Sequence, residues 1–395
     1  MKNYLLPYIL LIITCFVACD GSDDDEFVAK AALAKLEFVE KILQDEVFQL
    51  GGKIVGDAIT SVVLYDGEQE VLNQQVAGSN FEIKIQLSSA GKRNLVLKAL
   101  NNDDAVLADY SIPVTVIKRK ATAFNSESTT NKLGLWIWYL EETGFKSHME
   151  VVDKIYPLGV KRVFIKVGDG RNTWSEAANV EESNGEAFLS YYQRKGLEVY
   201  AWSYNYPGDA EEQALTLYEA AKSGYDGYVI DLEAEFDGKT VELEEVMMAF
   251  YEQMMEAVKD GFIDESFPLI VTTWGNPAYH NFAIHIVDKY VDAHMPQTYM
   301  EMWGGEWAEN PENSIATGNQ EYESLGAKKP VFHIISAEKT GDDAIGVDVL
   351  NRAIKASGPQ TSIWKIPGSN MGGNWMDNWS ILEKVEWNYD FSKSN

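Results

Sequence analysis

Cysteine is nearly absent from this chain: two of its 395 residues are cysteines, and both, Cys15 and Cys19, lie in the first twenty positions. The remaining sequence can form neither a disulfide framework nor a cysteine-ligated metal site. Histidine is also scarce, with five residues, and no His-x-x-x-His or other zinc-binding spacing occurs. We therefore expect no metal site and no cofactor.

Basic residues are also few relative to acidic ones: the chain has 33 Lys and Arg residues and 61 Asp and Glu residues, and its formal net charge is −28. A chain this acidic repels the phosphates of nucleic acids, which excludes DNA and RNA as expected partners. No Gly-x-Gly-x-x-Gly follows the first strand of the barrel predicted below, and no Gly-x-x-x-x-Gly-Lys-Ser/Thr loop occurs. These absences argue against a nucleotide-dependent enzyme.

The N-terminal residues have the pattern of a secretion signal. Lys2 is followed by an apolar run from Tyr4 to Ala18, which is too short for a membrane-spanning helix with flanks. The run ends in Phe16-Val17-Ala18-Cys19, which resembles a bacterial lipobox with Cys19 as the lipidated residue. We predict a lipoprotein signal peptide over residues 1–18; an ordinary cleaved signal with an incidental cysteine is the alternative.

Residues 19–28 are polar and acidic and lack apolar anchors, so we predict a disordered tether there. An acidic run directly after the lipidated cysteine resembles the surface-export signal of Bacteroidota lipoproteins. This resemblance implies a lipid anchor in the bacterial cell envelope, at the outer membrane or the cell surface, with the membrane as one partner. In enterobacteria, an Asp directly after the cysteine would instead indicate retention at the inner membrane.

Two patterns divide the rest of the chain. Residues 29–120 contain short β-prone runs separated by turn residues, which predicts a small Ig-like β-sandwich. Residues 121–132 are polar and predict a linker. Over residues 133–392, eight apolar runs alternate with helix-like segments, which predicts an α/β fold, the (β/α)₈ TIM barrel. The eight predicted strands are residues 134–139, 162–167, 198–204, 227–233, 269–274, 293–299, 331–336 and 362–366. A doubly wound open sheet is the competing fold, but it usually has fewer strands.

In such barrels the functional site lies at the carboxyl ends of the strands. The predicted strand ends are rich in aromatic, amide and acidic side chains. This mixture suits an uncharged ligand with many hydroxyl groups, because rings stack on sugar C–H faces while carboxylates and amides bind hydroxyls. The residues that we expect to contact such a glycan are Trp138, Asp169, Trp202, Tyr204, Trp274, Gln297 and Trp364.

The fourth predicted strand, residues 227–233, carries the clearest chemical signal. Side chains alternate along a strand, so Asp231 and Glu233 share one face. Because barrel strands are buried on both faces, we expect both acids to point inward at the mouth, where their mutual repulsion raises one pKa. A glutamic acid that stays protonated can donate to a glycosidic leaving group. The alternative is an ion pair with Lys166 or Lys365 that does no chemistry.

This strand resembles the fourth strand of family 18 glycoside hydrolases, the chitinase-like barrels, whose motif is Asp-x-x-Asp-x-Asp-x-Glu. Asp226 matches the first Asp, Asp231 the third, and Glu233 the catalytic Glu. Val229 stands where the family has its second Asp. Lysozyme-like barrels of family 25 also end a strand with Asp-x-Glu, so the motif is shared between families.

Two further family 18 features have partial counterparts. The sixth-strand motif Met-x-Tyr-Asp corresponds to Gln297-Thr298-Tyr299-Met300, which keeps only the tyrosine, with Glu301 one place later. The eighth-strand tryptophan corresponds to Trp364.

The family resemblance implies a mechanism in which Glu233 protonates the leaving oxygen. Asp231 and Tyr299 would orient a substrate N-acetyl group that acts as the nucleophile. A more general mechanism uses Glu233 as the acid and a second carboxylate, from Glu301 or Asp169, as base or nucleophile.

The sequence thus supports an envelope glycoside hydrolase that cleaves a polysaccharide. A polymer with N-acetylhexosamine units is one candidate substrate. A non-catalytic glycan-binding lipoprotein with a glycosidase-like barrel is the alternative, favoured by the departures from the family at Val229 and Met300. A purely structural envelope protein is a third hypothesis, which the aromatic mouth disfavours.

Overall fold

The computed structural model describes residues 32–120, 124, 128–182, 184–338, 345–367 and 379–393. The predicted signal peptide (1–18), its lipidation site Cys19 and the tether (19–28) lie outside these ranges. Within them, no helix is both long and apolar enough to span a lipid bilayer. The chain divides after Lys120 into two compact units.

The first unit is built from two β-sheets. Its strands within residues 32–120 are β1 (Ala32–Phe38), β2 (Lys41–Leu43), β3 (Val47–Val55), β4 (Ser61–Asp66), β5 (Gln69–Gln75), β6 (Asn80–Gln86), β7 (Gly91–Leu100) and β8 (Val106–Ile117). One sheet has the order β1-β3-β6 and the other the order β2-β8-β7-β4-β5. The strands follow the period of two: in β6, Phe81 and Ile83 are buried and the residues beside them are exposed.

The two sheets of this unit share one hydrophobic core. Phe48 and Leu50 of β3 lie in the same buried cluster as Leu64 of β4 and Leu97 of β7. The sheets therefore pack face to face, and the burial of their apolar faces stabilises the unit. Packed sheets are what the alternating pattern predicts; the Ig-like topology and the limits of the linker stay predictions.

The second unit contains a closed barrel of parallel strands. Its strands are β9 (Gly134–Ile137), β10 (Arg162–Asp169), β11 (Asn172–Thr173), β12 (Glu198–Tyr204), β13 (Gly227–Asp231), β14 (Leu269–Trp274), β15 (Ala293–Thr298), β16 (Ile334–Ser336) and β17 (Ser362–Trp364). The short β11 folds back on β10 as an antiparallel partner. The other eight are parallel neighbours in chain order, and β17 pairs with β9, which closes the circle. The predicted eight-stranded α/β barrel is confirmed.

Helices connect the barrel strands. Within the described residues they are α1 (His148–Ile155), α2 (Leu189–Gln193), α3 (Ala210–Ser223), α4 (Thr240–Lys259), α5 (Ile284–Val287), α6 (Met300–Trp303), α7 (Glu306–Glu309), α8 (Pro311–Ser324), α9 (Val347–Ser357) and α10 (Trp379–Leu382). In α4, the spacing of Val246, Phe250 and Met254 places all three on one buried face. Ser147 begins α1 by accepting a hydrogen bond from the Glu150 amide.

The barrel interior is filled with large side chains and is not a pore. Trp136 stacks on Phe164 with 4.3 Å between ring centroids. Glycine makes room for such rings, since a Cβ at Gly134 would lie 2.6 Å from the Phe164 ring. The residues of this interior cluster are Trp136, Phe164, Tyr200, Trp202, Val229, Ile270, Ala293, Met295 and Ile334. Trp138, Tyr204, Asp231 and Gln297 each lie two positions after the last interior residue of their strand, so they point the same way nearer the carboxyl ends and form the mouth.

Several strands are shorter than predicted. β9 ends at Ile137 instead of Tyr139, and β13 ends at Asp231 instead of Glu233. β16 begins at Ile334 instead of Val331, where an isolated bridge to His294 remains. At the mouth, strand pairing ends where the chain turns into a loop, so Glu233 is a loop residue next to the barrel rather than a strand residue.

Candidate active site

Asp231 and Glu233 lie together at the mouth. Asp231 is two residues after the interior Val229, so it points into the barrel, and it is 6% exposed. Glu233 follows the strand and is partly exposed. The amide nitrogen of Gln297 donates to both acids, at 3.1 Å from Asp231 Oδ1 and 2.9 Å from Glu233 Oε1. One amide therefore bridges the two carboxyl groups.

Burial governs the protonation of this acid pair. Desolvation raises the pKa of Asp231 well above its usual value, and the charge of Glu233 raises it further. Desolvation also raises the pKa of Glu233, against the hydrogen bond from Gln297, which lowers it. The charge of Glu235 raises the pKa of Glu233 as well. The pair therefore favours a state that holds a proton.

Glu235 is a third acid at the mouth. It continues the alternation of Asp231 and Glu233, but sequence reasoning gave it no role. The Tyr204 hydroxyl donates to Glu235 Oε2 at 2.8 Å. Burial and the charges of Glu233 and Glu235 raise the pKa of Tyr204, which keeps it a hydrogen-bond donor. Tyr204 thus holds Glu235 beside the pair.

The two mouth lysines have other partners. Lys166 Nζ lies 2.8 Å from Asp169 Oδ2, and Lys365 Nζ lies 3.1 Å from Glu338 Oε1. Lys166 also lowers the pKa of Asp231 by its charge, although these two residues do not form an ion pair. The sequence-based alternative, an ion pair of Asp231 and Glu233 with these lysines, is therefore not the arrangement present.

Trp202 is part of the barrel interior, which corrects its prediction as a ligand-contacting residue. It is 2% exposed, and its indole nitrogen donates to the Ile137 carbonyl at 3.2 Å. The side chain points inward as predicted, but one layer below the mouth. Tyr204, two residues later, occupies the mouth position of the same strand.

Trp138 and Trp364 are both partly exposed, with 6.2 Å between ring centroids. Lys365 Nζ lies 3.9 Å from the centre of the Trp138 ring. These two indoles form a partly open wall of the mouth; their contact with a sugar stays a prediction.

Tyr299, which is partly buried, and Glu301, which is buried, follow the end of β15. Tyr299 packs against the interior cluster, and burial together with the charges of Asp231 and Glu233 raises its pKa. Glu301 is buried in α6, and its pKa is raised by burial and by Glu338 and lowered by a hydrogen bond from Ser336. Glu301 therefore interacts with residues at and just after the end of β16.

Asp169 is engaged on both sides. Besides its ion pair with Lys166, it accepts a hydrogen bond from the Tyr206 hydroxyl at 3.1 Å. These partners hold its carboxylate away from a role as a free base.

Trp274 belongs to a cluster that sequence reasoning missed. Its indole nitrogen donates to Asp237 Oδ1 at 3.0 Å, and His280 Nδ1 lies 3.1 Å from the other carboxylate oxygen. The indole and imidazole rings stack with 3.8 Å between centroids. Asp237 thus positions both rings at the mouth.

A cavity of about 600 Å³ opens beside the ends of β9 and β10. Its lining includes Trp138, Tyr139, Lys166 and Trp174. Asp231 and Glu233 do not line it, so the cavity is adjacent to the acid pair rather than around it. Among the described residues, no cluster of His, Cys, Asp and Glu could hold a metal ion.

No protein-family model and no curated protein matches this chain. Several of the solved structures that resemble it are glycoside hydrolases. A family 39 glycoside hydrolase from Bacteroides cellulosilyticus WH2 is 12% identical over 83% of this chain and 75% of its own, with a TM-score of 0.42. An endo-1,4-β-D-mannanase from Thermotoga petrophila RKU-1 is 13% identical over 62% of this chain and 93% of its own, with a TM-score of 0.47.

A β-glucuronidase from Bacteroides uniformis is 9% identical, with a TM-score of 0.40; the match covers 85% of this chain and 45% of that protein. This chain thus matches less than half of the β-glucuronidase. At these identities and TM-scores, the likeness does not extend to individual catalytic residues. The resemblance to family 18 stays a prediction.

The structure therefore brings most of the predicted residues to the barrel mouth. Seven of them lie near the acid pair or beside the cavity, namely Trp138, Asp169, Tyr204, Trp274, Gln297, Tyr299 and Trp364. The missed residues are Trp174, Asp237 and His280. They stand on loops, where no periodic pattern marks a side chain that folds back over the mouth.

Proposed function

We propose that this protein is a glycoside hydrolase with Glu233 as the general acid. The observation that carries the proposal is the bridge from Gln297 to Asp231 and Glu233, inside an aromatic barrel mouth. Burial raises the pKa of Glu233, which favours the protonated form that a general acid needs. Its partial exposure lets it reach a glycosidic oxygen, which Asp231, more deeply buried, reaches less easily.

The spacing of the two acids favours retention of the anomeric configuration. Both carboxyl groups contact one nitrogen atom, so their facing oxygens lie closer together than the roughly 6.5–9.5 Å that separates the carboxyl groups of an inverting enzyme. Buried Asp231 suits an orienting role better than direct attack. We therefore favour a substrate N-acetyl group as nucleophile, oriented by Asp231 and Tyr299.

Gln297 lies where its side chain can supply Asp231 with a polar contact that the family 18 motif provides through its second Asp. In that family's motif, a second Asp stands where this chain has Val229. Val229 is buried in the interior cluster and offers Asp231 no hydrogen bond. The amide of Gln297 supplies a polar contact to Asp231 from the neighbouring side of the mouth.

The charges of the mouth favour an uncharged glycan. Lys166 and Lys365 each form an ion pair with a carboxylate, whereas Asp231, Glu233 and Glu235 form none with any basic residue in the part of the chain that the structure describes. A sugar carboxylate would meet net negative charge here. Neutral polymers of N-acetylhexosamine or hexose units fit this environment.

The test is the release of reducing ends from a polysaccharide panel: chitin oligomers, peptidoglycan, β-mannan and a polyuronate. We expect release from an N-acetylhexosamine polymer, none from the polyuronate, and a first product with retained configuration by proton NMR. Binding of a panel glycan without any release would reject hydrolysis and leave the glycan-binding alternative.

A change at Gln297 is expected to move the pH dependence of hydrolysis. Glu233 must be protonated to act as an acid, so kcat/KM falls as pH rises through its pKa. The hydrogen bond from Gln297 lowers that pKa. Gln297→Met removes the donor at similar length, so the alkaline limb of the kcat/KM profile moves to higher pH. Gln320→Met, on an exposed position of α8, is the control; a shift to lower pH at Gln297→Met would contradict the assignment.

We also propose that Cys19 carries a lipid that holds the protein in the bacterial cell envelope, at the outer membrane or the cell surface. The support is the lipobox-like Phe16-Val17-Ala18-Cys19 and the acidic run after it. Cys19→Ser is expected to move the protein from the membrane fraction to the soluble fraction and to abolish incorporation of labelled palmitate. Cys15→Ser is the matched control, and equal behaviour of the two variants would reject the anchor.

A further inference from the structure

Aromatic side chains continue from the acid pair towards β10 and β9. Tyr204 aligns with Asp231 in the pairing of β12 with β13. The Lys166 ammonium lies 5.9 Å from the centre of the Tyr204 ring and 4.9 Å from that of Trp174. Beyond it, the Tyr139 ring stacks on Trp174 with 5.1 Å between centroids, and both rings line the cavity. Tyr139 and Trp174 are the first ring pair.

A second run of rings leaves the acid pair on the other side, towards β14. Trp274 aligns with Gln297, whose amide bridges the two acids. Next to the stack of Trp274 on His280, the Tyr279 ring meets His280 edge-on and is 84% exposed. A ring with this exposure contributes almost nothing to barrel packing and presents a free face. Trp274 and Tyr279 are the second ring pair.

The order of the barrel strands puts these ring pairs on opposite sides of the acids. β13, which carries Asp231, lies between β12 and β14. The first ring pair is reached through β12 and β10, and the second through β14. An enzyme that cleaves sugars from the end of a polysaccharide needs a sugar-binding surface on one side of the cleaved bond and a closed wall on the other. This mouth offers aromatic ring faces on both sides.

We propose that the mouth binds an internal segment of a polysaccharide, with sugar units on the first and second ring pairs and the cleaved bond between them. This inference rests on the proposed glycosidase function and specifies it as cleavage within a chain. The cavity, of a volume common for small-molecule sites, accommodates the units on the first side.

Binding tests the proposal without catalysis. Glu233→Gln protein is titrated, by tryptophan fluorescence and calorimetry, with β-1,4-linked oligomers of two to six units in three series: N-acetylglucosamine, mannose and glucose. In at least one series, affinity is expected to rise with length. Trp174→Ala and Tyr279→Ala, each made in the same background, are expected to weaken hexamer binding about fivefold to tenfold and dimer binding less.

Two comparisons make this result specific. Trp174→Phe keeps a ring and is expected to restore most of the hexamer affinity, which separates ring contact from misfolding. Tyr156→Ala removes a tyrosine that is 46% exposed before β10, at the opposite end of the barrel, and should leave affinity unchanged. The proposal is overturned if affinity does not rise with oligomer length in any series. It is also overturned if affinity still rises equally with length in both Trp174→Ala and Tyr279→Ala.

Product analysis separates this proposal from the glycosidase proposal. Wild-type protein acting on a reducing-end-labelled hexamer is expected to release labelled dimers to tetramers first. Release of single sugars from one end alone would overturn internal cleavage and leave hydrolysis standing. Length-dependent binding without cleavage would reject hydrolysis and leave the two-sided groove standing.

Discussion

Glu233→Gln is expected to lower the kcat of glycoside hydrolysis by about 10²–10⁴-fold, the usual contribution of a positioned general acid. The substitution preserves size and keeps an oxygen that can accept from Gln297, but it removes the transferable proton. Since the acid contacts the leaving oxygen mainly in the transition state, KM should change little. Initial rates on the panel polymer that the wild type cleaves fastest give kcat and KM. Binding of the same polymer to the variant is the reference.

The control for this substitution is Glu323→Gln, an exposed glutamate near the end of α8. It makes the same chemical change away from the mouth, so its rate should equal that of wild type. Full activity of Glu233→Gln would remove Glu233 as the acid. A variant that loses binding together with rate would instead indicate a structural role for the carboxyl group.

Trp136→Ala is expected to destabilise the barrel unit by about 3–5 kcal/mol, as for other large aromatic residues deleted from a core. Trp136 is 1% exposed and stacks on Phe164. Its indole nitrogen donates to Ser362 Oγ at 2.8 Å, so the substitution also removes the partner of a buried hydroxyl. The interior layer cannot close over the gap, because the surrounding strands are held in a closed ring.

Urea unfolding followed by tryptophan fluorescence measures this loss. All 11 tryptophans of the chain lie after residue 130, so the signal reports on the barrel unit rather than on the β-sheet unit. Trp307→Ala, at a partly exposed position of α7, is the control and should cost less than about 1 kcal/mol. Similar losses for the two variants would mean that Trp136 is not a core residue of this barrel.

Much of the barrel could be predicted because its strands are bounded by sharp changes in composition. β12 and β14 have the predicted limits, Glu198–Tyr204 and Leu269–Trp274. The same period of two placed Asp231 and Glu233 on one face, and the bridging amide of Gln297 shows that they lie close together. Short-range geometry along one strand is sufficient for this step.

The two-residue alternation along a strand could not predict how deep a side chain lies within the barrel. Trp202 and Tyr204 have the same inward direction, yet the first is in the interior and the second is at the mouth. Depth depends on how neighbouring strands are staggered around the ring, which is a property of the closed barrel. The partners of Lys166 and Lys365 depend on the same stagger.

The sequence by itself determined the alternation of strands and helices, the inward face of each strand and the acidic, aromatic character of the strand ends, because these follow from local periodicity and composition. Only the tertiary structure decided that Gln297 bridges the two acids, that Trp202 is buried and that Trp174 and Tyr279 flank the mouth. These contacts join residues far apart in the chain, and barrel closure and loop folding set their distances.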